Sequence, residues 1–271
     1  MLDLYDKIQE TAQFIRERWP HEADVGIVLG SGLGPVADLV TDRIVIPYRE
    51  VPNFPVSTVI GHKGQLVCGR IGGRGVIVMQ GRFHAYEGYP LKHVTFPIRV
   101  MHAMGARSLM VTNASGGLNP RIQQGELVLI DDHINMMWDN PLVGVNDDRL
   151  GPRFPDMSQP YDRGLLLKAA AVARRENIIA HQGIYVGVRG PNYEPCAEYR
   201  LLKQIGADVV GMSTVPEVIV AVHSGLRVLG MSIVSNCCSG ELQEVKGEDV
   251  VAIVERAAGN VAKIVAGVLG E

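Results

Sequence analysis

The stretch MQGRFHAYEGYP, residues 79–90, places Arg82, His84, Tyr86 and Glu87 just after the apolar run GVIVM at 75–79. On an extended chain, residues two apart project to the same side. Arg82, His84 and Tyr86 then form one face. Arginine and histidine offer donors suited to an oxyanion such as phosphate, and an aromatic ring beside them suits a sugar or a base. Taken singly, each also has an ordinary role: a surface salt bridge, a backbone-satisfied imidazole, a packing ring.

Other polar clusters repeat the arrangement. GSGLG at 30–34 exposes backbone N–H groups and the Ser31 hydroxyl, and glycines let a backbone approach an oxyanion closely. The same loop equally reads as a tight strand-to-helix turn. It fails the dinucleotide fingerprint, because Pro35 stands where a third small residue belongs, and it lacks the lysine of a P-loop. His62 lies in the glycine-flanked GHKG loop, as a mobile ligand contact or an exposed histidine. Tyr193 and Glu194 in GPNYEP pair a ring with a carboxylate, which suits a heterocyclic N–H; a helix-start glutamate is the plainer reading. Met212 and Ser213 in GMST add a soft apolar contact and a hydroxyl. Asn236 could present its amide to a ring nitrogen and a carbonyl, or simply end a strand.

These clusters need strands behind them. Apolar runs at 25–29, 65–71, 75–79, 107–112, 126–130, 183–188, 207–212 and 227–235 read as strands. Helices are expected over 3–18, 90–104, 162–176, 195–205, 215–225 and 247–268. The alternation indicates an α/β fold, and strands without period-2 alternation suggest a sheet covered on both faces. In open α/β sheets ligands sit beyond the carboxyl ends of the strands, so the clusters are expected to converge on one crevice. The irregular stretch 139–160 could link two domains; strands on both sides favour a single domain, 1–271.

The composition narrows the classes further. Of 271 residues, 46% are hydrophobic and 20% charged, and the formal net charge is −3. That supports a full core and gives no footprint for nucleic acid or a membrane surface. The four cysteines, Cys68, Cys196, Cys237 and Cys238, form no C-x-x-C pair, as expected of free thiols in the cytoplasm. The eight histidines form no H-E-x-x-H, and no metal is expected.

Together IVLGSGLG, VPNFPVSTVIGHKGQLV, VMQGRFHAYEGYP, VTNASGGLNP, DHINMM, RFPDMS, GPNYEP, GADVVGMSTVPEVIVA and SNCCSG closely resemble the trimeric purine nucleoside phosphorylases, over nearly the whole length. The resemblance implies a single-domain α/β fold with a central mixed, twisted, partly barrel-like sheet flanked by helices, of the phosphorylase/hydrolase-like kind. It implies phosphorolysis of 6-oxopurine nucleosides to free base and ribose 1-phosphate, with phosphate as co-substrate, no cofactor, and a homotrimer. By the same resemblance Ser31, His62, Arg82, His84, the Ala114 backbone and Ser213 hold phosphate. Tyr86 contacts ribose, Met212 packs under the sugar, Tyr193 and Glu194 face the purine, and Asn236 binds the base. Phe154 enters from a neighbouring subunit. His84, Glu194 and Asn236 carry the chemistry. Three positions depart from the family pattern: Gly247 where many relatives have histidine, Ser115 where alanine is common, and the cysteines of NCCSG. The first keeps 5′-methylthioadenosine phosphorolysis open, although that sister family usually has aspartate at the Asn236 position. A non-catalytic nucleoside-binding protein is the third reading.

Overall fold

The computed structural model describes residues 4–59, 62–237 and 246–270; Cys238 lies outside them. The chain opens with α1 (Leu4–Arg18), whose Ile8, Thr11, Ala12 and Ile15 turn inward at helical spacing. β1 (Val25–Leu29) is buried throughout. It lies between β4 (Arg74–Gln80) and β5 (Ser108–Gly117), parallel to both. β3 (Gln65–Ile71) pairs antiparallel with β4, and β2 (Thr41–Pro47) forms the edge beside β3. The sequence reading omitted β2. Most of it is exposed and only one side is paired, so it carries little of the apolar signal of a central strand.

The expected helix over 90–104 is two: α2 (Leu91–Val94) and α3 (Phe96–Ala103). Pro97 sits in the first turn of α3, where its missing N–H costs nothing; inside one continuous helix it would break the ladder. After β6 (Leu127–Asn135) the chain runs irregularly to α4 (Arg163–Arg175), which Asp162 caps by accepting the Leu165 N–H at 2.8 Å. Leu142, Leu150 and Met157 of the irregular stretch pack against the main core, so it is not a linker. β7 (Ala180–Gly187), α5 (Cys196–Gln204), β8 (Val209–Gly211), α6 (Val215–His223), β9 (Arg227–Cys237) and α7 (Gly247–Gly270) complete the chain.

The nine strands form one sheet in the order β2-β3-β4-β1-β5-β8-β7-β6-β9, and β9 also pairs with β5. That second pairing closes β5, β8, β7, β6 and β9 into a barrel. The sheet is mixed: β5 and β9 are parallel, whereas β8 runs antiparallel to β5 and β6 antiparallel to β9. A small satellite core of Leu118, Val186, Leu202, Ala207 and Val210 ties α5 to β7 and β8, with Tyr199 packed on it. No helix among the described residues is long and apolar enough to cross a membrane.

Candidate active site

One cleft, with about 680 Å³ of empty space partly open to solvent, lies where the barrel meets the open half of the sheet. Its walls include Ser31, Arg82, His84, Tyr86, Ala114, Tyr193, Glu194, Met212, Ser213 and Asn236. The clusters that follow six different apolar strands are thus brought together. His62 stands one layer behind. Phe154 is 86% exposed and does not line the cleft of its own chain.

At the oxyanion end, Gly30 and Ser31 follow β1. A Cβ at Gly30 would lie 2.9 Å from both the Thr112 carbonyl and the Asn113 Cα, so only glycine lets β1 end this close to β5. Arg82 is 1% exposed and is not a free surface cation. Its Nε and Nη2 donate to the two carboxylate oxygens of Glu217 at 3.1 and 3.0 Å. Nη1 donates to the Thr112 carbonyl and lies 3.5 Å from Ser213 Oγ. Glu217, itself 2% exposed, fixes the guanidinium by a two-point contact. Sequence reasoning missed it; a lone glutamate inside VPEVIVA carries no signal until the fold sets it beside Arg82.

Glu217 also accepts the Thr214 N–H at 3.0 Å, capping α6. Thr214 has φ 66°, a strained value for a β-branched residue. The Asn113 amide donates to its hydroxyl at 2.8 Å. Ser232 donates to Asn113 Oδ1 at 2.6 Å, and Ser115 in turn contacts Ser232 at 2.6 Å. A buried hydrogen-bonded row therefore runs under the cleft floor from Ser115 to Arg82, and it holds Ser213 at the N-terminus of α6. Tyr185, buried in β7, accepts the Ser213 N–H at 3.3 Å.

His62, His84 and Tyr86 form a column of rings, with centroids 5.6 Å apart for the two histidines and 4.6 Å for His84 and Tyr86. The column replaces the extended chain expected for residues 82–86, because Ala85–Glu87 form a 3-10 turn. His62 is not exposed. Its Nδ1 lies 3.2 Å from the Arg82 N and 3.1 Å from the Arg82 carbonyl, and its Nε2 lies 3.2 Å from Ser31 Oγ. Burial, with the charges of neighbouring His84 and Arg82, lowers its pKa to about 4. Burial also lowers that of His84, against a hydrogen bond to Glu87. Burial thus favours the neutral form of both rings. Glu87 does not face the cleft. It accepts from the His84 N–H at 2.8 Å and from Thr58 at 2.8 and 2.6 Å. Burial opposes its ionisation, but these bonds prevail and hold it near 2.

At the far end, a β-bulge shifts the β5–β9 register, pairing Ser115 with Val234 but Gly116 with Asn236. Such bulges re-aim side chains, and here Asn236 joins the cleft wall. The Ser235 hydroxyl lies 2.9 Å from Asn236 Oδ1 and 3.1 Å from the Ser115 carbonyl, so its one hydrogen serves either acceptor. Burial raises the Glu194 pKa, partly offset by hydrogen bonds that include one from Tyr199. Tyr199, Ser235 and Val250 are wall residues the sequence did not single out; Ser115, noted only as a departure from the family pattern, also stands on the wall. Gly247 has open space around it. Among the described residues, no group of three or more His, Cys, Asp or Glu could hold a metal ion.

The profile of the phosphorylase superfamily matches residues 24–270. Purine nucleoside phosphorylase 1 of Bacillus subtilis (strain 168) is 48% identical over 98% of this chain and 98% of its own. The protein of the same name from Geobacillus stearothermophilus is 51% identical over 92% and 91%. A solved structure of isoform 2 of Schistosoma mansoni purine nucleoside phosphorylase, in complex with cytosine and ribose-1-phosphate, superposes with a TM-score of 0.94 at 41% identity, covering 98% of this chain and 96% of that one. With its barrel, its cleft and these relatives, the chain belongs to the phosphorylase superfamily, in the purine nucleoside phosphorylase family.

Proposed function

We propose that the chain is a purine nucleoside phosphorylase that acts on 6-oxopurine nucleosides such as inosine and guanosine. A homotrimer in the cytoplasm, with phosphate as co-substrate and no other cofactor, is part of this reading. The observation that carries it is the single cleft that joins an oxyanion end, Ser31, Arg82, His84 and Ser213, to a base end, Glu194 and Asn236.

Phosphate rests against Ser31, the Ala114 backbone, Arg82, His84 and Ser213, below the ribose. His62 supports Ser31 from behind. The bond from the sugar to purine N9 lengthens, its electron pair moves into the purine, and the sugar carbon takes on oxocarbenium character. A phosphate oxygen then bonds to that carbon, giving ribose 1-phosphate. Tyr86 and Met212 hold the sugar; Tyr193 stacks on the base. The Asn236 Nδ2 hydrogens meet N7 and O6 and stabilise the negative charge that collects on the leaving purine, while Glu194 accepts N1–H. Donors fixed before the reaction supply several kcal/mol of such stabilisation, and holding both substrates in one cleft supplies more. No covalent enzyme intermediate is needed.

One observation favours a second reading. Gly247 has no side-chain donor, and α7 contributes the apolar Val250 to the cleft, which suits a 5′-methylthio group. A panel of inosine, guanosine, adenosine and 5′-methylthioadenosine, each with and without phosphate, tests both. Phosphate-dependent release of hypoxanthine from inosine is expected. Faster release of adenine from 5′-methylthioadenosine selects the second reading, and no turnover leaves only nucleoside binding. Asn236→Asp replaces a donor with an acceptor, so preference should move toward 6-aminopurines; a variant as selective for inosine as the parent overturns the assignment of Asn236.

A further inference from the structure

Tyr185 lies in β7 with no exposed surface, yet its hydroxyl reaches a residue of the cleft wall. It pairs in register with Val209 of the parallel strand β8, so Gly211 stands two residues on, on the same side of that strand. A Cβ at Gly211 would lie 2.4 Å from the Tyr185 hydroxyl and 3.0 Å from its Cζ. A side chain there would push the phenol away from Ser213, whose N–H it accepts at 3.3 Å. The same hydroxyl interacts with the Ser213 side chain, and among the described residues it has no other hydrogen-bond partner. Burial raises its pKa above the ordinary 10.0, so the phenol keeps its hydrogen at neutral pH.

Ser213 stands on the cleft wall, and its Oγ lies among donors. Arg82 Nη1 is 3.5 Å away, and the Thr214 hydroxyl is 3.2 Å away. The Thr214 oxygen already accepts from the Asn113 amide at 2.8 Å and from the Glu217 N–H. A hydroxyl has two acceptor lone pairs and one hydrogen, so Thr214 has its hydrogen left to give to Ser213. The Tyr185 O–H is a third donor. Three donors then converge on an oxygen with two lone pairs, and the cleft is the direction left for the serine's own hydrogen. A hydroxyl otherwise rotates freely; one aimed in advance costs no reorganisation when charge arrives.

We propose that Tyr185 is a positioning residue: its phenol, admitted by Gly211, turns the Ser213 hydroxyl so that its hydrogen points into the cleft at a bound oxyanion. This role rests on the reading that Ser213 holds phosphate. Titration calorimetry of inorganic phosphate into the intact protein tests it. Tyr185→Phe should weaken phosphate by about three- to tenfold, while the KM for inosine at saturating phosphate changes far less. With Ser213→Ala already present, adding Tyr185→Phe should cost nothing more, because the hydroxyl it directs is gone; a general loosening of the site would cost as much in either background. Gly211→Ala keeps the phenol but crowds its hydroxyl. It should repeat the pattern, and it serves in place of Tyr185→Phe if that variant does not fold. Phosphate affinity that both variants leave unchanged, or a loss of equal size with Ser213→Ala present, overturns the proposal alone. A parent protein that binds no phosphate overturns the reading of Ser213 together with it.

Discussion

Arg82 depends on a residue that touches no ligand. Bound to Glu217 at two points, its side chain contributes direction more than net charge, because the pair is neutral as a whole. Removing Glu217 leaves a buried cation without its partner. Glu217→Ala should therefore destabilise the protein by about 3–5 kcal/mol in urea unfolding and raise the KM for phosphate more than that for nucleoside. Glu217→Gln, which keeps the shape and one acceptor, should recover most of the stability and only part of the phosphate affinity; an unchanged phosphate KM in both would show that Arg82 is held by other groups. Glu194 gives a pH signature. Its pKa is raised above the ordinary 4.5 by burial, so on acidification its carboxylate takes up a proton earlier than an exposed one. The kcat/KM for inosine should fall as pH drops through an apparent pKa above 4.5, and Glu194→Gln should abolish that limb of the profile. A limb that survives in Glu194→Gln would assign it to another group.

The meeting of β1 with β5 sets the oxyanion end of the cleft. At Gly30 an added methyl meets main chain, the Thr112 carbonyl and Asn113 Cα, not the yielding tip of a side chain. Gly30→Ala should cost about 1–3 kcal/mol as an overpacking change and weaken phosphate use, read as a lower urea midpoint and a raised phosphate KM. A normal KM would show that the seam opens without moving Ser31. Strand and helix positions were largely legible from apolar runs, since β1, β4 and β5 are buried on both sides and read as continuous hydrophobic sequence. The break at Thr95 between α2 and α3 was written in Pro97 but overlooked. The edge strand β2 was not legible, because exposure removes the pattern that marks a strand. The convergence of clusters also has a different cause from the one assumed. The rule for parallel sheets does not cover β8, which runs against β5; the two overlap at only Gly116 and Gly117, so their C-terminal ends still lie close together.

The role proposed for Phe154 belongs to the scale of an assembly. A large apolar side chain left 86% exposed, on a stretch that also exposes Trp138, Val143 and Val145, fits the proposal that it completes the cleft of a neighbouring subunit. Phe154→Ala should lower kcat/KM for inosine by roughly 10–100-fold through lost positioning. Dissociating and reassembling it with inactive Asn236→Ala should restore activity, because mixed oligomers contain sites with both residues intact; no recovery in verified mixed oligomers would place Phe154 outside the site. The sequence by itself determined which chemistry was available: an arginine, histidines, small exposed loops, an aromatic–carboxylate pair and a terminal amide, each after an apolar strand, in a pattern specific enough to mark the family. Tertiary structure alone decided how those groups are used. Glu217 neutralises and aims Arg82 and the bulge in β9 turns Asn236 into the cleft, because pairings between residues more than a hundred positions apart arise from the closure of the sheet and leave no trace in local spacing.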